Sequence, residues 1–142
     1  MRGLCLPGQQ RVHLSKEQPA RRRQILAAVC RLDIEVRIYD ASGIQNPRAA
    51  RIACLEQVIA DLAALRGQRL VIEQDDSLVS ADQADLWTAS HKYETAATLA
   101  YEHVPPRTEP LLWIADAAVW SWSRGGQWRQ RIDPVVRRVT TL

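Results

Sequence analysis

The 142-residue sequence contains no apolar run approaching ~18 residues, which excludes a membrane-spanning helix. Its first residues, MRGLCLPGQQRVHLSKE, lack the roughly 7–15-residue apolar stretch of a secretory signal. No cysteine pair has CxxC spacing. Cys5, Cys30 and Cys54 are isolated, and an odd, dispersed set makes neither a disulfide framework nor a zinc site. Cys30 and Cys54 fall in apolar helical patterns and read as buried free thiols, which points to a reducing cytoplasm. His13, His91 and His103 are equally dispersed, with no HxxxH pair. There is no repeat, no low-complexity tract and no linker. Lysine is scarce, two against 17 arginines, which fits GC-rich coding better than selection for phosphate contacts.

What is present suffices for a folded domain. The chain is 46% hydrophobic and 25% charged, and its length is that of one ordinary domain, 1–142. Charge is uneven: residues 1–31 carry a net +6, residues 32–122 a net −7 and residues 123–142 a net +4. Two basic ends around an acidic middle could clasp a polyanion around a metal-binding centre. The plainer reading is a solvated, Arg-rich surface.

The pattern predicts alternating elements. Ser15 with Gln18 is a capping-box pattern opening a helix over roughly 16–32. Ile34, Val36 and Ile38 alternate with polar residues in a strand ending at Asp40. Asn46-Pro47 opens a helix and Gly67 is its C′ residue. Leu70-Val71-Ile72 reads as a central strand buried on both faces and leading into Glu73, Asp75 and Asp76. Ser80 with Gln83 opens a helix through about His91. Leu99, Tyr101 and His103 mark a strand closed by Pro105-Pro106, and Thr108 caps a helix over 109–123 that Gly125-Gly126 stops. The expected class is α/β, with a mostly parallel sheet and helices on both faces. Three strands are few for an open sheet, so at least one is expected to be missing from the N-terminus or supplied by another chain.

Sites in such sheets form outside the carboxyl ends of strands, where Asp40, Glu73, Asp75 and Asp76 fall. Crowded carboxylates repel, and a hard cation, Mg²⁺ or Mn²⁺, resolves the repulsion. The alternative is that Asp75-Asp76-Ser77 is a polar turn. Asp116 lies four after Leu112, three after Trp113, three before Val119 and four before Trp120, within the apolar side of its helix. A carboxylate there needs a partner: a metal shared with Glu73, an Arg such as Arg37 or Arg69, or an edge position reaching water. His13 and Lys16 could donate a proton and neutralise charge near phosphate, or be ordinary surface residues. Trp113, Trp120 and Trp122 read as core more than as base-stacking platforms.

The segments RVHLSKE, LVIEQDDS and EPLLWIADAAVWSW together resemble actinobacterial proteins related to domain of unknown function 3800, which is similar to RNase H in fold. The resemblance spans most of residues 10–130. It implies an RNase H-like, metal-dependent nuclease with Glu73, Asp76 and Asp116 as Mg²⁺ or Mn²⁺ ligands, Asp75 beside them, and His13 and Lys16 assisting. Such proteins open with a strand ending in Asp-Glu-Ser, which this chain lacks before His13, so the resemblance also implies an N-terminally incomplete domain. Three functions follow as expectations: a phosphodiester hydrolase or its inactive remnant; a non-catalytic nucleic-acid-binding module; and a protein-interaction module whose unpaired sheet edge takes a partner strand, including that of a second copy.

Overall fold

The computed structural model describes residues 11–142. Its order is α1 (Pro19–Cys30), β1 (Val36–Asp40), α2 (Pro47–Ala64), β2 (Arg69–Glu73), α3 (Val79–Lys92), β3 (Ala100–Val104), α4 (Leu111–Arg124), α5 (Gly126–Ile132) and β4 (Val136–Thr141). The class is α/β. No helix among the described residues is long and apolar enough to cross a membrane.

The chain forms two compact units. Unit 1 takes residues up to Ile38 and Pro106–Val139; unit 2 takes Tyr39–Pro105 and Thr140–Leu142. Each has its own core. In unit 1, α1 contributes Ile25, Leu26 and Val29, α4 contributes Trp113, Ile114, Ala117 and Ala118, and Trp128 and Ile132 of α5 complete the cluster with Val12, Leu14, Val36 and Ile38. In unit 2, Leu55 and Ile59 of α2 meet Leu86 and Ala89 of α3 and Leu99, with Leu70 and Ile72 of β2 packed against them.

In place of one mostly parallel sheet, the described residues form two two-stranded sheets, β1 with β4 and β2 with β3. The β2–β3 pair is parallel, Arg69 opposite Ala100 through Glu73 opposite Val104, with α3 in the crossover that a parallel pair requires. This corrects the expectation of a central β2. It has one neighbour, and Leu70, Val71 and Ile72 are only half-buried. An apolar run too short to cover both its faces looks the same in sequence as one that is covered.

Local chemistry explains most boundaries. Asn46 accepts a hydrogen bond from Ala49 N at 2.9 Å, with Pro47 in the first turn of α2. At the other end the left-handed residue is Arg66 (φ 56°), not Gly67. Arg66 N–H reaches Ala63 O and Gly67 N–H reaches Leu62 O, a Schellman closure one residue earlier than expected. Gly67 packs closely there: a Cβ would lie 2.8 Å from Leu62 Cδ2, and that side chain would have to shift. α1 begins at Pro19 after Gln18, and Ser15 lies in a preceding 3-10 turn, Leu14–Lys16, rather than capping the helix. α3 begins at Val79, so Ser80 is already helical. α4 stops at Gly125 (φ 73°) and Gly126 (φ 55°), conformations that favour glycine. Beyond them α5 and β4 were not expected from the sequence.

Candidate functional site

The residues expected to converge fall in different units. Glu73, Asp75 and Asp76 follow β2 in unit 2, whereas His13, Lys16 and Asp116 belong to unit 1. Asp75 serves the turn before α3. Its Oδ1 accepts from Ser77 N (3.0 Å) and Ser77 Oγ (2.6 Å), and these bonds hold its carboxyl below the usual carboxylate range. Asp76 accepts from Gln74 Nε2 at 2.7 Å. Among the described residues no group of three or more His, Cys, Asp or Glu is placed to hold a metal ion. Cys30 and Cys54 are free and half-buried, and burial pushes both thiols up; Cys5 lies outside the described residues.

The face of α4 is rotated from the expected one. Its buried residues are Leu112, Trp113, Ile114, Ala117, Ala118 and Ser121, while Val119 is 61% exposed. Asp116 sits half-buried at the margin, which is the edge position reaching water. There it lines an open cleft of about 470 Å³ with His13, Ser15, Trp120, Ser123 and Arg124. His13 and Asp116, singled out independently, share this cleft; the exposed Lys16 is not among its lining residues.

The most deeply buried carboxylate among the described residues is elsewhere. Asp82 is fully buried in α3. It accepts two bonds of 2.6 Å from the Arg51 guanidinium, Nε to Oδ1 and Nη2 to Oδ2, and lies 3.0 Å from His103 Nε2 of β3. The Arg51 fork, and secondarily His103, hold its carboxyl well down despite burial. The sequence signal was available: Asp82 is four before Leu86 and seven before Ala89, on the buried stripe of α3. The criterion applied to Asp116 picks out Asp82 more sharply. Every carboxylate oxygen of Asp82 is satisfied, so this network ties α2, α3 and β3 together.

Unit 1 concentrates cations. Its described residues carry thirteen Lys and Arg against six Asp and Glu, a net +7, while unit 2 carries five against ten, a net −5. The basic ends of the chain, far apart in sequence, thus belong to one folded unit. Two arginines are braced on tryptophans. Arg22 lies over the Trp120 ring at 4.4 Å and donates to Leu14 O and Ser15 O, both at 3.0 Å. Arg129 lies over Trp122 at 4.6 Å and donates to its carbonyl at 2.9 and 2.7 Å. Trp120 meets Trp128 edge-on at 5.5 Å. Arg23, Arg31, Arg124, Arg131 and Arg138 are exposed. No family model matches the chain, and no curated protein or solved structure is significantly similar to it.

Proposed function

We propose that this protein is a nucleic-acid-binding α/β module that takes the phosphate backbone on unit 1. The observation that carries this reading is the segregation of charge, +7 on the described residues of one compact unit against −5 on the other. Phosphate contacts supply most sequence-independent affinity, and a field of one sign on one unit steers a polyanion there. Guanidinium groups braced on tryptophan faces lose little freedom when they engage phosphate. The cleft beside them adds Ser15, Ser123, His13 and Arg124, groups suited to phosphate oxygens.

A second reading, phosphodiester hydrolysis on an RNase H-like scaffold, has one supporting observation: His13 and Asp116 line the same cleft. The α/β class and the parallel β2–β3 pair are compatible with it. We derive no metal-assisted step for it.

Anisotropy titrations with a labelled 20-nucleotide single strand test the proposal. Binding is expected to weaken with salt, log K against log[salt] falling with a slope of about −3 for roughly four phosphates. A slope near zero, or no binding at low salt, refutes it. Asp116→Asn separates the two readings. In a binding module it removes a repulsive carboxylate and tightens binding; in a hydrolase it abolishes Mn²⁺-dependent cleavage of the same strand.

A further inference from the structure

The packing of unit 2 uses one nitrogen of His103 and leaves the other. The His103 side chain is only 6% exposed, and its Nε2 lies 3.0 Å from Asp82 Oδ2. The Arg51 fork holds Asp82 as a carboxylate, which can only accept, so His103 Nε2 carries the shared proton. In the neutral ring that leaves Nδ1 as a bare lone pair. Among the described residues the bond to Asp82 is the one side-chain hydrogen bond of His103. Buried polar atoms that serve packing alone are paired; this one is not.

His103 lines an open cleft of about 530 Å³, together with Gln74, Asp76, Ser80, Gln83 and Glu102. The cleft lies by the carboxyl end of the parallel β2–β3 pair, where α/β units take ligands. No Lys or Arg is among its lining residues. Glu102 is already bridged by Arg69 at 2.5 Å, whereas Asp76 contacts the neutral Gln74 amide and forms no ion pair among the described residues. The positive end of α3 is already countered: Asp75 accepts from Ser77 N and Val79 N, and Asp82 stands in the first turn. An anion would meet repulsion here, and an apolar molecule would leave the lone pair unmet. We infer that this cleft is a binding site for an organic cation with N–H donors, a primary ammonium or guanidinium group that donates to His103 Nδ1 while Asp76 supplies the countercharge. Arg51 and Asp82 act as positioning residues that fix the ring and its tautomer. The site lies wholly within unit 2 and does not depend on phosphate binding by unit 1.

Ring ¹⁵N spectra of the full chain, labelled at its histidines and titrated with agmatine at about pH 8, test this. The free chain is expected to show His103 with Nε2 protonated and Nδ1 bare. Agmatine should move the Nδ1 resonance saturably. Tetramethylammonium, a cation without N–H donors, should leave it in place at matched ionic strength. Asp76→Asn should weaken agmatine binding about threefold to fivefold, the scale of an exposed ion pair. Glu94→Gln removes the same charge from unit 2 outside the cleft and should change nothing. Both positions are exposed, so neither substitution disturbs the core. A ring protonated at Nδ1, a resonance that agmatine does not move, an equal response to tetramethylammonium, or equal weakening by the two variants overturns the inference.

Discussion

The two units solve the same stability problem with different chemistry. Unit 1 buries thirteen residues in one cluster, two of them tryptophans, and keeps its cations outside. Unit 2 buries five in its cluster and supplements them with an ion-paired carboxylate at the centre of α3. Large aromatics carry much apolar area per residue, so unit 1 holds a surface of net positive charge over a cluster of apolar side chains. Unit 2, with less apolar area to bury, depends on Arg51 and His103 to satisfy Asp82. The difference bears on function as well: the unit with the stronger core carries the self-repelling positive surface.

The comparison breaks most severely at Trp113. This side chain is fully buried and donates Nε1–H to Pro106 O at 2.6 Å. Trp113→Ala is expected to cost ~3–5 kcal/mol. Hydrogen exchange should show lost protection in α1 and α5 while α2 and α3 keep theirs; equal loss in both units would contradict separate cores.

Asp82→Asn is the matching cut in unit 2, expected to cost about 3 kcal/mol because Arg51 and His103 lose their anion. Its pH signature follows from sign. The folded carboxyl titrates below its unfolded value of about 3.9, so its stabilisation is present above that pH and disappears as pH falls through the folded value. Urea midpoints from pH 6 to pH 2.5 should fall more steeply for wild type than for Asp82→Asn.

Smaller effects sharpen the picture at the ends of α2. Asn46→Ala removes the cap to Ala49 N and should cost ~1 kcal/mol. Arg66→Gly places glycine at the left-handed position and should stabilise by about 0.5–1 kcal/mol. Thermal melts measure both.

Much of the fold was legible in sequence where a local rule decided it. Asn46-Pro47 marked the start of α2, Pro105-Pro106 the end of β3, and Gly125-Gly126 the end of α4. Sheet membership was not legible, since nothing local tells Leu70-Val71-Ile72 how many neighbours it will have. Nor does a helix pattern fix rotation within a turn. Trp113 and Val119 looked equivalent, yet one is fully buried and the other 61% exposed, and Asp116 moved with them to the cleft margin. The gathering of the basic ends into one unit depends on long-range folding. In sequence it was visible only as a +6 segment and a +4 segment with an acidic one between them.

The proposed binding of nucleic acid by unit 1 depends on where the charge lies, not on the chain's net +3. Two double variants remove the same charge from different places. Arg124→Gln/Arg131→Gln takes it from unit 1, and Arg48→Gln/Arg66→Gln takes it from unit 2. Salt-dependent titration of a single-stranded 20-mer against both and wild type reads the difference. The unit 1 variant is expected to bind more weakly, its salt slope shallower by about 1.4 for two lost phosphate contacts, with the unit 2 variant unchanged. Equal slopes for the two variants would contradict the claim.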